Sequence, residues 1–561
     1  MSSTLNFSQV LLLVLPLCLL STVLASSRIN DRKSPNEVSL YSESDNVKML
    51  DSESLRKALE MDGDKSKLVQ FLNTFCGDCQ RFAPIFKGLA RDLYKWNSIL
   101  RIYGVDCAQE RNVDVCREFD IRQTPTLRYF ALDSYKHNHS LGLDIPSQDP
   151  QVITTTLADF ISRNEQPNFA PLKKDDNAET LFKRHIALGS PVQFIALVFQ
   201  PKDSLIGRDT LLELLPYKEL EVRIVEDPAV FANFGLKDTS LKLAIIDHEG
   251  KAKSLTSAED TSKAYAAVLG EYLQSLNYQP EPPLPIVEAS NMTEFLDQQN
   301  QAIITEVLKP PRRVYRADLE QAIDKLLHIE LPKPPFLEGN NLTALKNIIT
   351  VVSYLNPLNK DGQQLLKNLR GSLSKAKTMT GVQLAETVES LEKPLKKIFK
   401  ARRYVGCIAS RPFLRGFTCS LWTLFHFLTV EAAKPPYYFK PGSVLLTIHG
   451  FAKYFFGCSD CSRHFQEMAK RRRLASVKSH DEEILWLWEA HNEVNQRVAS
   501  DSTEDPKFPK LQFPSEEDCP TCRSSNNSSE WQREEVLKYL KTIYDRGNLS
   551  FYGLPTAQGY N

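Results

Sequence analysis

The residues from Lys67 to Trp96, KLVQFLNTFCGDCQRFAPIFKGLARDLYKW, constrain the fold more than any other stretch of the chain. The opening KLVQFLNTF is rich in large apolar side chains and reads as a buried strand. It runs straight into Cys76, with Gly77 and Asp78 before Cys79, and CQRFAPIFKGLARDLYKW then reads as a helix. A cysteine between a strand and a helix sits at the helix N-terminus, where unpaired N–H groups and the helix dipole favour a thiolate. Strand, C-x-x-C, helix is therefore a redox layout. A structural staple and half of a zinc site are the other uses of such a pair.

The remaining cysteines bear on that choice. Of 11, Cys18 lies in an apolar N-terminal run, VLLLVLPLCLLSTVLA, with Val23 and Ala25 spaced like a cleavage site. Residues 1–25 are expected to be a cleaved secretory signal, with a signal anchor as the alternative. No later run reaches the about 20 apolar residues that a membrane span needs. The ten other cysteines form five close pairs: Cys76/Cys79, Cys107/Cys116, Cys407/Cys419, Cys458/Cys461 and Cys519/Cys522. An even count in an oxidising lumen suggests that all can pair, although sequence does not fix connectivity. Zinc would need two C-x-x-C units about 15–20 residues apart. Here 58 positions separate Cys461 from Cys519, so no metal is expected. N-x-S/T acceptors at Asn138, Asn291, Asn341, Asn526, Asn527 and Asn548 agree with secretion. The 69 basic and 69 acidic residues balance, which gives no support for nucleic acid as the main partner.

The 561 residues allow several domains. After LRIYGVDC, a second strand, FDIRQTPTLRYF supplies a Thr124-Pro125 step before another. Residues 35–165 resemble the thioredoxin and protein disulfide isomerase family, on Cys76, Cys79, Phe82, Pro84, Asp106 and Pro125. The resemblance implies a cis Pro125 beside an active disulfide. Phe75 stands where the family usually has Trp, and Asp78 where its oxidising members usually have His. A carboxylate there disfavours a neighbouring thiolate and predicts a weaker oxidant. Alternatively, Asp78 complements the positive end of the helix. Cys107/Cys116 reads as a structural bridge. Residues 166–280 lack cysteine but alternate strand and helix patterns, which suggests a redox-silent second unit of the same type. Residues 286–400, after the proline-rich NYQPEPPLP, are helical by pattern.

Residues 401–552 carry the second constellation. Trp422 and His426, four apart, share a helix face. Ordinary core packing would give the same face. Cys458 and Cys461 follow an aromatic-rich turn, with His464 one helical turn on. Trp488, His491, Asn492 and Asn495 recur at helical spacing, and two asparagines inside one helix call for a reason, such as hydrogen bonds to an adenine. This region resembles the Erv/ALR flavin-dependent sulfhydryl oxidases, and the whole domain order resembles the quiescin sulfhydryl oxidase family. The expected fold is two thioredoxin-like α/β domains, a helical pseudo-Erv region and an all-α Erv/ALR domain.

The resemblance implies that FAD is held by Arg415, Trp422, His426, Asp460, His464, Trp488, His491, Asn492 and Asn495. Lys510 would meet a phosphate, and Phe513 would fill an aromatic position. Cys458/Cys461 would lie beside the flavin ring, and Cys407/Cys419 would be structural. Cys519/Cys522 matches a distal pair, and region 286–400 a degenerate Erv-like half that makes a monomer suffice. The implied enzyme takes electrons from reduced secretory or extracellular proteins at Cys76/Cys79. It passes them through Cys458/Cys461 and FAD to oxygen, releasing hydrogen peroxide in the secretory lumen or outside the cell. A hinge near 280–290 is expected, so that the two pairs can meet. A thiol–disulfide exchange protein without oxidase activity, motivated by Asp78, and a non-catalytic binding protein are the alternatives.

Overall fold

The computed structural model describes residues 39–61, 65–163, 167–238, 240–284, 298–524 and 527–555. The signal peptide, Asn291, Asn526 and most of the expected hinge lie outside the described residues. Among these residues no helix is long and apolar enough to cross a membrane.

The first unit has five strands, β1 (Lys48–Met49), β2 (Ser66–Leu72), β3 (Leu100–Asp106), β4 (Thr126–Phe130) and β5 (Leu143–Asp144), in the order β1-β3-β2-β4-β5. β3 runs parallel to β1 and β2, while β4 is antiparallel to β2 and β5. Its helices are α1 (Ser52–Met61), α2 (Gly77–Asp92), α3 (Val113–Glu118), α4 (Ser134–Asn138) and α5 (Pro150–Arg163). Every residue of β2 is buried because helices cover both faces of the sheet. Leu68 and Leu72 point into the core beneath α2 and α5, and Val69 and Phe71 into the one beneath α1 and α3. The Thr124-Pro125 bond is cis.

The second unit holds β6 (Phe194–Phe199), β7 (Leu220–Val225), β8 (Leu243–Asp247) and β9 (Ala252–Leu255), with α6 (Ala178–Leu188), α7 (Ile206–Leu214) and α8 (Ser262–Ser275). Its order β7-β6-β8-β9 repeats β3-β2-β4-β5, with the same parallel and antiparallel neighbours. The two units share one apolar core, and Lys95 pairs with Glu213 at 2.8 Å across their boundary. The second unit is thus packed on the first rather than strung behind it.

The rest is helical: α9 (Gln298–Val307), α10 (Arg316–Lys325), α11 (Gly339–Leu355), α12 (Lys360–Ser374), α13 (Gly381–Glu392), α14 (Gly416–Ala432), α15 (Ser443–Tyr454), α16 (Ser459–Arg471), α17 (His480–Val498) and α18 (Arg533–Ile543). One hydrophobic core runs from Leu319 of α10 through Leu424 and Ile448 to Leu540 of α18. Helices before and after residue 400 therefore stabilise each other. Four cysteine pairs are bonded locally: Cys107–Cys116, Cys407–Cys419, Cys458–Cys461 and Cys519–Cys522. Cys519 and Cys522 are buried in this helical core. Among the acceptor asparagines, Asn138 and Asn548 are exposed. The Asn341 amide instead donates to Phe336 O at 3.2 Å, and its oxygen accepts from Glu338 N, as part of a helix cap.

Candidate functional site

Two C-x-x-C pairs meet at two helix N-termini. Cys76 caps α2 in an extended conformation, and Cys458 caps α16, where its sulfur lies 3.4 Å from Cys461 N. Between them lies Thr124, the residue before the cis proline. Thr124 N and Oγ1 both donate to Gly457 O, at 2.8 and 2.9 Å, and Thr124 bridges Cys458 in a parallel β contact. Thr124 O faces Cys76 Sγ at 3.6 Å and Ser459 Oγ at 3.5 Å. Cys76, Cys79 and Cys458 belong to one buried cluster. Here Cys76 and Cys79 are free thiols and the other pair is a disulfide.

The dithiol is electrostatically split. The Cys79 thiol beside Cys76, aided by the N–H groups of Cys79 and Asp78, pulls the Cys76 thiol below its ordinary range despite burial. Burial pushes Cys79 well above it. Of the two, Cys76 is the thiol whose charged form the surroundings favour. The Asp78 charge opposes this less strongly than the neighbouring Cys79 thiol and N–H groups favour it. Its carboxylate accepts from Gln148 at 3.0 Å and lies 3.6 Å from Arg81, in the first turn of α2. The helix-complementing position of Asp78 fits this geometry; its charge does act against the Cys76 thiolate, as expected, but the net shift of Cys76 is downward. Asp106 is buried under the same loop, accepting from Thr74 N at 3.2 Å, and burial raises its carboxyl.

Beyond Cys461 opens a cavity of about 870 Å³, within the range of ligand pockets. Arg415, Trp422, His464, His491, Asn495, Lys510 and Phe513 line it, as do Cys461 and Phe75. Trp422 and His491 stack at 4.3 Å and 7°, His491 Nδ1 meets His426 Nε2 at 3.1 Å, and His426 stacks on Tyr544 at 5.0 Å. Burial holds His426 down to about 3 and His491 well below its usual value, so both are neutral at physiological pH. They offer flat faces and neutral hydrogen-bonding nitrogens, not charge.

The cationic end lies at Arg415 and Lys510. Burial lowers Arg415 to about 10 and Lys510 to about 8, each also depressed or bounded by its charged neighbours. Arg415 lies 4.0 Å over the Phe508 ring, and its buried Nε has no hydrogen-bond partner. Two buried cations, one with an orphaned N–H, beside an aromatic slot fit a group with a flat ring system and a diphosphate. FAD has that chemistry.

Four expected ligands, Trp488, Asn492, His426 and Asp460, do not line the cavity. Trp488 Nε1 donates to Phe513 O at 2.5 Å, and Asn492 both donates to Phe513 O at 2.7 Å and accepts from Phe513 N at 2.8 Å. Asn495 Nδ2 donates to Leu511 O at 3.0 Å. The asparagines therefore staple the 507–514 segment to α17; Asn492 has its oxygen and one N–H engaged with backbone, unlike the adenine-binding use expected of it, whereas Asn495 gives one N–H and also lines the cavity. His426 is buried behind His491. Asp460 does not itself line the cavity and pairs with Arg463 at 2.6 Å, His464 at 3.2 Å and Arg81 at 3.2 Å. Sequence reading missed Phe508, Tyr544 and Arg81, which lie in no motif. It also missed Asp318, which is fully buried and accepts from Val405 N at 2.8 Å. With Arg415, which donates to Gly406 O, Asp318 fixes the 405–407 loop at the cavity wall.

Comparison with known proteins agrees with this arrangement. The Thioredoxin family model matches residues 46–143, the FAD-dependent sulfhydryl oxidase model residues 311–410, and the Erv1/Alr family model residues 419–514. Sulfhydryl oxidase 2 of Homo sapiens is 32% identical over 526 residues, covering 90% of this chain and 73% of that protein. Sulfhydryl oxidase 1 of Cavia porcellus is 30% identical over 537 residues, covering 91% and 82%. The solved sulfhydryl oxidase fragment of human QSOX1 is 36% identical, covering 43% of this chain and 98% of that one, with a TM-score of 0.39. A thioredoxin-type dithiol set against a second C-x-x-C, beside a cavity suited to FAD, thus accompanies similarity along nearly the whole chain, and the chain belongs to the FAD-linked sulfhydryl oxidase family that joins thioredoxin and Erv/ALR domains.

Proposed function

We propose that this thiol oxidase works as a two-pair relay in which Cys76 receives electrons from protein thiols and Cys458 receives them from Cys76. The carrying observation is the contact of Thr124 with Gly457 and Cys458, which brings the two cysteine loops into one buried junction. In the first exchange, a substrate thiolate attacks the oxidised Cys76/Cys79 disulfide. The second substrate thiol then resolves the mixed disulfide, leaving substrate disulfide and the Cys76/Cys79 dithiol. In the second exchange, the Cys76 thiolate attacks Cys458 and releases Cys461 as a thiolate. Cys79 then attacks Cys76, restoring that disulfide and leaving Cys458 and Cys461 reduced. Two electrons and two protons have moved, and Cys461 faces the cavity.

Arg415 and Lys510 would hold the diphosphate of FAD, and Trp422 and His491 would flank its rings. Bound flavin supplies the acceptance of two electrons from the reduced pair and their return to oxygen as hydrogen peroxide. Phe75 and Gln80 of the first unit close one side of this cavity: Gln80 Nε2 donates to Phe413 O at 2.7 Å.

Residues 35–165 form the redox-active domain, 166–280 a silent one, 286–400 a pseudo-Erv half and 401–552 the flavin domain. The shared helical core supports a monomer with an internal pseudo-dimer. Ten cysteines in close pairs, eight of them disulfide-bonded, and the N-terminal apolar run support reduced secretory proteins as substrates, in the secretory lumen or outside the cell.

The test is oxygen consumption with a reduced, unfolded protein substrate, followed in the intact chain and in Cys458→Ser. Uptake matched by peroxide, lost in the variant while Cys76/Cys79 still reduces an added disulfide, is the expected result. Uptake that survives loss of Cys458 would overturn the relay. Thiol exchange without uptake in the intact, flavin-loaded chain would favour the exchange-only alternative.

A further inference from the structure

Arg81 lies on α2, two residues past Cys79, and reaches across to the other cysteine loop. Its Nη2 is 3.2 Å from Asp460 Oδ2 and 3.6 Å from Asp78 Oδ1, and its Nη1 is 3.4 Å from Asp501 Oδ2. Asp460 sits inside the Cys458–Cys461 loop. One guanidinium thus ties the two redox loops together by charge.

The partner carboxylates are prepared for it. Asp460 is also held by Arg463 at 2.6 Å, His464 at 3.2 Å and Arg497 at 3.5 Å. Asp501 accepts from Thr503 N at 2.8 Å. Burial raises both carboxyls, and the surrounding cations and donors outweigh it, so both stay ionised. The hydrogen bonds of Thr124, Gln80 and Thr418 across this junction are neutral, and Arg117 Nε, elsewhere on the interface, donates to the Pro332 carbonyl at 2.7 Å rather than to a carboxylate. They are short-ranged, whereas ion pairs act before contact and fix register. Without Arg81, Asp78 on one side would face Asp460 and Asp501 on the other, a like-charge arrangement that opposes docking.

We propose that Arg81 is the positioning residue of the relay: it docks the Cys76/Cys79 loop on the Cys458/Cys461 loop through Asp460 and Asp501, and so sets the rate of transfer between the pairs without acting on substrate thiols. The proposal rests on the relay reading above. The four side chains are partly exposed, so docking weakens as salt screens the pairs.

The experiment compares full-length, flavin-loaded Arg81→Glu with the unaltered chain. Oxygen uptake with a reduced protein substrate is expected to fall tenfold or more, while reduction of glutathione disulfide by the Cys76/Cys79 dithiol changes less than twofold. The exchanged pair Arg81→Glu/Asp501→Arg is expected to recover part of the uptake, and Arg81→Lys to keep most of it. Uptake in the unaltered chain should decline with added salt, and uptake in Arg81→Ala should not decline, because salt there screens only the remaining like charges. Equal uptake in Arg81→Glu, or equal loss of both activities without recovery in the exchanged pair, overturns the proposal. If Arg81→Glu does not fold, Asp501→Arg tests the same contact from the other side, with the same expected split. Failure of the relay reading itself looks different: the unaltered chain then takes up no oxygen, or takes it up without Cys458.

Discussion

At the scale of single residues, burial decides what the titratable groups can do. His426 and His491 would read as pH-sensitive in a sequence, yet burial keeps both neutral. Neither is expected to titrate between pH 5 and 8 by NMR. Lys510 is the opposite case, since burial brings it to about 8 from 10.5. Its folded value lies below its unfolded one, so the unfolded chain holds the extra proton between about 8 and 10.5. The stability of the flavin-free chain is therefore lowest below that window and rises with pH through it. A bound diphosphate favours the charged lysine and reverses this preference. Flavin affinity of the flavin-free protein is thus expected to weaken by about tenfold from pH 7 to 9.5, the scale of one charge-assisted hydrogen bond. Lys510→Met should bind weakly at both pH values. A pH-independent affinity in the unaltered chain, measured by fluorescence titration, would remove Lys510 from the site.

At the scale of elements, helix N-termini and one backbone staple build the site. α2 and α16 each begin at a cysteine, so each pair gains the same favourable end of a helix dipole. α17 does different work, because Asn492 and Trp488 hold the Phe513 backbone and so position the segment that carries Lys510. Asn492→Leu leaves the Phe513 N–H without its partner at a cost of about 1–3 kcal/mol. We expect a lower Tm together with faster flavin loss on gel filtration, while thiol exchange at Cys76 is unaffected. Unchanged flavin retention would show that the staple does not shape the cavity.

At the scale of the whole molecule, docking and substrate use compete. Cys76 is 2% exposed in this arrangement, and Gly457–Ser459 lies along the Thr124 edge beside it. A protein substrate must reach the same sulfur, so the two loops have to part and meet in each cycle. The met state makes a prediction of its own. Cys79→Ser/Cys461→Ser leaves Cys76 facing Cys458, and mild oxidation is expected to join them within the chain, seen as a shifted band on a non-reducing gel. Cys79→Ser/Cys458→Ser, which pairs Cys76 with Cys461 instead, should form the link at least tenfold more slowly, because Cys461 faces the cavity. Equal rates would mean that the junction seen here is not the exchange geometry.

Much of this protein is legible in its residues taken in order. Short-range chemistry carried it: the β2 burial pattern, the cysteines at strand-to-helix steps, and the helical periods of α14 and α17 all arise within a few residues. Four of the five close cysteine pairs are bonded locally, a connectivity that the sequence suggested but did not fix. What it could not set was where a side chain points once distant segments pack. Asn492 and Asp460 stand at the expected spacings, but one is taken by the Phe513 backbone and the other by Arg81, partners 21 and 379 positions away. The neutrality of His426, the closeness of the Arg415 and Lys510 cations and the meeting of the two cysteine loops at Thr124 depend likewise on contacts between remote elements. Burial and long-range charge are properties of the assembled core, and only the tertiary structure decides them.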